Sequence, residues 1–250
     1  VLVIGGALAA LALLRWHELG LWALVMAVPD GTWFPLPTGF GNLTAVDLLV
    51  VLVSVLWLAR LIVQDRGITI RLPPLSLPFA LFLGAALLSM TITLSLEASI
   101  KEFTKWLEMF AVYVYVANTL DPAKAQRVLA VILLAGISEA AIGIYQFMFK
   151  WGPDGFLLFG RFIRAFGTFE QPNPYAGYLA LIAPVALGVA FTVNSQQSAV
   201  NSKTDHKSLF TVYRSLFTSR LLLVLLGIVS LVAMLTAVAM SWSRGAWLGV

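Results

Sequence analysis

LLLVLLGIVSLVAMLTAVAM, from Leu221 to Met240, runs twenty residues without a charge. An α-helix rises about 1.5 Å per residue, so about 20 apolar residues cross the hydrocarbon core of a bilayer, and this stretch reads as a transmembrane helix. Five further segments approach the same length and apolarity: Thr44 to Val63, Leu77 to Leu96, Trp106 to Leu120 with a polar lead-in, Val128 to Phe149, and Pro174 to Val193. Val1 to Leu14 and Leu19 to Val28 are shorter and are separated by Arg15, His17 and Glu18, the pattern of a cut first helix followed by a short second one. One span through that cluster is disfavoured, because each charge at mid-bilayer costs roughly 2.5 to 3.5 kcal/mol on insertion scales. The fold class expected is all-α, a polytopic transmembrane helix bundle of six spans plus one or two short N-terminal ones. Both ends read as cut, since the sequence opens at Val1 inside an apolar run and closes at Val250 a few residues into another, so a fragment is expected.

Composition agrees with lipid as the solvent. The 250 residues are 60% hydrophobic and 11% charged, with a mean hydropathy of +0.92. A soluble domain carries about 25% charged residues, so only a bilayer can cover most of this surface. Soluble enzymes, nucleic-acid binders and disordered linkers are excluded. Cysteine is absent and histidine occurs twice, which removes disulfides, thiolate nucleophiles and Cys-based metal sites.

The basic residues alternate along the chain. Arg60, Arg66 and Arg71 flank one connection, Lys124 and Arg127 the next but one, and Lys203, Lys207, Arg214 and Arg220 the next after that. With Arg15 these hold ten of the sixteen basic residues. By the positive-inside rule these loops are cytoplasmic, and 29–43, 97–105, 150–172 and the tail from Ser241 face outward. Pro29 to Asn42, rich in Pro, Gly and aromatics, reads as an ordered external loop with Trp33 and Phe34 at the interface. The Asn42-Leu43-Thr44 sequon is ascribed to chance, and Asn194 to Thr218 reads as a flexible cytoplasmic loop. In the Cys-free background, Gly155→Cys should react with an impermeant thiol reagent in intact cells and Asp205→Cys should not. The reverse labelling pattern would overturn this orientation.

Outward basic residues oppose the orientation bias. Lys101, Lys105 and Lys150 lie at span ends, where long cationic side chains snorkel to the headgroups. Arg161 and Arg164 lie instead in RFIRAFGTFEQPNP (161–174), an aromatic-rich loop running straight into a span. Asn173 is expected to cap that helix and Pro174 to begin it, which turns unpaired N–H groups toward the Arg164 loop. The arrangement repeats at SWSRGAWLG (241–249), where Ser243 is expected to cap a new helix beginning at Arg244. Two helix N-termini and two guanidinium groups on one side of the membrane outline an anion site, for which a diphosphate is the natural guest. Guanidinium binds phosphate oxygens bidentately and stays charged. The plainer reading of either arginine is an anchor at a helix end.

RAFGTFEQPNPYAGYLALIAP from Arg164, followed about 80 residues later by SWSRGAWLG, resembles the O-antigen ligase and O-antigen polymerase family of multispan bacterial glycosyltransferases. The resemblance covers roughly residues 128–250, so residues 1–127 are taken as N-terminal transmembrane helices and 128–250 as an incomplete ligase-like transmembrane domain. It implies a multi-pass protein of the bacterial inner membrane that builds cell-surface polysaccharide such as lipopolysaccharide. The implied donor is a glycan on a polyprenyl diphosphate such as undecaprenyl diphosphate, the implied acceptor a glycan or lipid, with no nucleic acid, metal or cofactor. Arg164 and Arg244 would hold the diphosphate, with Arg161 a further candidate. The family's acceptor-activating His is expected in an external loop beyond residue 250, so the catalytic group is not assigned here and the fragment alone is expected to be inactive. His17 and His206 fall on the cytoplasmic side and cannot replace it.

Among the carboxylates, Glu139 sits mid-span, where an ionised group is functional by default; the alternative is a packing residue hydrogen-bonded to Ser138 or Tyr145 neighbours. Glu170 can orient an arginine or contact the acceptor, and Asp47 can support its helix N-terminus. Gly136, Gly143, Gly177 and Gly188 are expected to allow close helix approach. The competing function is an anion transporter of the bicarbonate type, with Glu139 and the outward arginines lining its path, and a non-catalytic membrane scaffold is third. No internal repeat of the transporter kind is visible.

Overall fold

The computed structural model describes residues 17–29, 36–38, 41–64, 70–200 and 209–249. The chain divides into two compact units, Val1–Val128 and Leu129–Val250.

The first unit contains helix α1 (His17–Ala27), an antiparallel hairpin of β1 (Leu36–Thr38) and β2 (Gly41–Leu43) with Leu36 opposite Leu43, and helices α2 (Ala45–Gln64), α3 (Ser76–Ser89) and α4 (Leu96–Thr119). Helix α5 (Pro122–Phe149) starts in this unit and continues into the second. Helix α2 opens on a reciprocal cap: Thr44 N–H donates to Asp47 Oδ2 at 2.6 Å, and Asp47 N–H donates to Thr44 Oγ1 at 3.3 Å. Asp47 therefore supports its helix N-terminus as expected. Helix α3 and α4 meet through aromatic rings, with Phe82 edge-on to Trp106 at 4.9 Å and Phe79 stacked on Phe110 at 5.2 Å.

Four described helices are long and apolar enough to cross a membrane, at Ala45–Val63, Lys124–Phe149, Pro172–Phe191 and Leu221–Ser241. The two other expected spans fall short of that criterion. Helix α3 stops at Ser89 and tightens into a 3₁₀ turn over Met90–Ile92. Ser89 Oγ donates to Ala86 O and Thr91 Oγ1 to Leu88 O, and the chain turns extended at Thr93, so hydroxyls bonded back to the helix accompany its end. Helix α4 is long, but its first half carries Glu97, Lys101, Glu102 and Lys105. Those residues were expected in an outward loop; Ser95 instead caps a helix there, accepting from Ala98 N–H, with Glu97 in the first turn. The short second N-terminal helix is α1. Val1 to Leu14, Trp33 and Phe34 lie outside the described residues.

The second unit contains the rest of α5, a minimal hairpin of β3 (Leu157–Leu158) and β4 (Phe162–Ile163), and helices α6 (Pro172–Val200), α7 (Leu209–Ser241) and α8 (Arg244–Gly249). Its core joins Leu133 and Ala140 of α5 to Tyr175 and Leu179 of α6 and to Met234 and Ala237 of α7. The expected loop over Asn194 to Thr218 is corrected at both ends: α6 continues to Val200 and α7 is already helical from Leu209.

Small residues set the helix spacing, though not all those expected. An added Cβ at Gly136 would meet Met234 Sδ at 2.7 Å, and one at Gly143 would overlap the Tyr175 hydroxyl. At Gly177 and Gly188 it would meet nothing within 4 Å, so these two do not mediate close approach. Gly227 does: its Cβ would lie 3.1 Å from Ala186 O and 3.2 Å from Ala190 N on α6, which are backbone atoms that cannot rotate away. Gly227→Val should therefore force α6 and α7 apart and cost about 1 to 3 kcal/mol, read as a lowered unfolding temperature in detergent. An unchanged transition would show that the contact is loose.

Candidate functional site

The site grows from two turns of the second unit. The first is Ala165–Phe169, which α5 grips with two side chains one heptad apart. Gln146, 1% exposed, accepts from Phe166 N–H (3.1 Å) and Gly167 N–H (2.8 Å) and donates to Gly167 O (2.7 Å). Glu139, 3% exposed, accepts from Thr168 N–H at 3.0 Å and Thr168 Oγ1 at 2.9 Å, and its backbone carbonyl accepts from Tyr175 Oη at 3.0 Å. Gly167 sits at φ +60°, and an added Cβ there would overlap Glu139 Oε2, so glycine is required by both backbone and space. Ala165 N–H donates to Met240 O, joining this turn to the end of α7.

The second turn closes α7. Trp242 takes the left-handed conformation (φ 53°) that ends a helix, and α8 begins two residues later at Arg244. Ser241 Oγ donates to Val238 O and accepts from Ser243 N–H, Trp247 N–H donates to Ser243 O, and Trp247 Nε1 donates to Val238 O. Ser243 thus stands just before the helix and accepts its first backbone bond, but no side-chain hydrogen bond from Ser243 caps it among the described residues.

Arg164 joins the two turns. Its Nε donates to Ser241 O at 2.7 Å, and its Nη2 donates to Asn173 Oδ1 at 3.2 Å and Trp242 O at 3.5 Å. A guanidinium on the last carbonyls of α7 is a favourable helix C-terminal contact. Part of the Arg164 donor set is therefore committed to the protein, and its Nη1 makes no protein hydrogen bond among the described residues. The Asn173 expectation changes accordingly. Helix α6 starts at Pro172, Tyr175 N–H donates to Gln171 O, and Asn173 is already helical with its side chain turned to Arg164.

Arg164, Asn173, Ser243 and Arg244 line one pocket of about 700 Å³, together with Trp242 and the small residues Gly177, Ala180 and Ala246. No carboxylate lines it among the described residues, and Arg244 is exposed with no hydrogen-bond or ion-pair partner among them. The pocket is thus net positive, with one fixed and one open guanidinium. The other expected site residues lie elsewhere. Arg161 and Glu170 are exposed and do not line it, and Glu170 forms no ion pair among the described residues, so the expected arginine partner is not found. Glu139 is likewise outside the pocket wall, and its partner is Thr168 rather than Ser138 or Tyr145; Ser138 Oγ donates to Ala135 O. His17 begins α1, and His206 lies outside the described residues.

Sequence reading missed Gln146 and Trp242, and gave Gly177 a packing role where the structure puts it on the pocket wall. Gln146 had a visible signal, a second polar residue seven positions after Glu139 on the same helix face. Comparison with protein-family models, curated proteins and solved structures gives no match to this chain.

Proposed function

We propose that this protein is a membrane glycosyltransferase of the O-antigen ligase or polymerase type. It would move a glycan from a polyprenyl-diphosphate donor to an acceptor at the outer face of a bacterial inner membrane that it crosses with up to six long spans. The observation that carries this reading is the convergence of Arg164 and Arg244, 80 residues apart in sequence, on one pocket that no carboxylate lines among the described residues. An acceptor hydroxyl would attack the anomeric carbon as the bond to the diphosphate oxygen breaks. Negative charge then grows on the leaving diphosphate, where Arg244 and the open edge of Arg164 lower the barrier. The acceptor's proton passes to a base that no described residue of the pocket supplies, since its polar side chains are Arg, Asn, Ser and Trp. Glu139 with outward arginines was the support for an anion transporter, and both carboxylate oxygens of Glu139 hold Thr168 instead.

The test is reconstitution of the full-length protein with a polyprenyl-diphosphate-linked glycan and a lipid or glycan acceptor. The expected result is acceptor glycosylation with release of one polyprenyl diphosphate per transfer. Correctly inserted protein that releases none, while driving solute uptake into the same vesicles, would overturn the reading in favour of a transporter.

A further inference from the structure

The guanidinium groups of the pocket suit a diphosphate, but the Trp242 ring on the same wall has no donor chemistry that phosphate needs beyond its own N–H. It stands between Ser241 and Ser243 in the left-handed region, a backbone conformation that a bulky residue adopts only when its surroundings hold it there. Glycine is the ordinary residue at such a helix end. The residue is 43% exposed and lines the pocket together with both arginines. Its orientation is fixed from outside: Phe159 packs edge-on at 5.6 Å and 69°, and Trp247, itself pinned through Nε1 to Val238 O, lies at 5.9 Å. A strained, buttressed, half-open indole on the wall of a cationic pocket is a stacking surface. The C–H face of a pyranose carries partial positive charge and packs on the negative face of an aromatic ring.

Resting on the function proposed above, we infer that Trp242 is the platform for the sugar attached to the diphosphate, a specificity-determining residue that recognises the glycan rather than its lipid carrier. It acts on binding of the sugar ring and takes no part in bond making.

The experiment compares two probes on the full-length protein in nanodiscs: a polyprenyl diphosphate without sugar, and the same lipid carrying a single hexose. Trp242→Gly is the informative variant, because glycine relieves the backbone at φ 53° and so the change removes the ring without straining the turn. Trp242→Phe keeps an aromatic face. Trp242→Gly should weaken the hexose-bearing probe about fivefold to tenfold and leave the bare probe within twofold, with Trp242→Phe in between. Arg244→Ala should weaken both. Equal weakening of both probes by Trp242→Gly, or of neither, would overturn the sugar platform while leaving the diphosphate site standing. If Arg244→Ala affects neither probe, the diphosphate reading fails, and a Trp242 effect confined to the hexose probe would then mark a sugar site independent of it. Circular dichroism and the unfolding temperature of each variant separate loss of the site from loss of the fold.

Discussion

Gly167→Ala should leave the protein inserted in the membrane but unseat the turn that carries Arg164, with donor binding down by at least an order of magnitude. A side chain at φ +60° costs about 1 to 2 kcal/mol in backbone energy. The new Cβ would also overlap Glu139 Oε2 and lie 2.5 Å from the Tyr175 ring, an overpacking of about 1 to 3 kcal/mol more. Neither obstacle can retreat, because Tyr175 is fully buried and the Glu139 oxygens hold Thr168. Glu139→Ala should act in the same direction through lost hydrogen bonds, each costing about 1 to 3 kcal/mol when a buried partner is left behind. Faster proteolysis between Lys150 and Gln171, with helix content unchanged, is the readout. If Glu139→Ala instead keeps the turn protected and abolishes activity, Glu139 is a chemical rather than a positioning residue.

The second large effect separates the two arginines. Arg244→Ala should reduce glycan transfer at least tenfold while leaving the unfolding temperature unchanged, because Arg244 is exposed and bonded to nothing else described. A charge-assisted bond to phosphate contributes about 1.5 to 3 kcal/mol, which is the origin of that factor. Arg244→Lys should recover part of it, since a point charge replaces a bidentate fork. Arg164→Ala should reduce transfer as much but also lower the unfolding temperature, because it releases Ser241 O, Trp242 O and Asn173 from one side chain. A stable, inactive Arg164→Ala variant would contradict the tie between the two turns.

How much of this was legible in the sequence depends on what kind of signal each feature leaves. Apolar length alone located the four long helices, the uncharged Leu221 to Met240 run most directly. It overreached at Leu77 to Leu96, where the Ser89 and Thr91 hydroxyls bond to the helix's own carbonyls and Thr93 bonds forward to Ser95 O, so the helix ends short of the span's length. It misjudged Glu97 to Lys105, because charge density suggested a loop while the Ser95 cap starts a helix. Arg164 and Arg244 were picked out by their motifs, and residue spacing could not have shown that they share a pocket. The anchoring of Arg164 to α7 was not legible at all. It depends on where α7 ends and on which way its last carbonyls point, and Trp242, a residue that no propensity places at φ 53°, sets both.

The central claim is one diphosphate pocket built by Arg164 and Arg244, and a double-mutant cycle on equilibrium binding tests it most directly. Undecaprenyl diphosphate is titrated into the full-length wild type, Arg164→Lys, Arg244→Ala and the double variant in nanodiscs, all verified as folded. The expected result is at least tenfold weaker binding in Arg244→Ala and a coupling energy above about 0.5 kcal/mol between the two positions, as for groups that contact the same ligand. Wild-type affinity in Arg244→Ala, or strictly additive effects of the two changes, would contradict the shared site and leave both arginines as interfacial anchors.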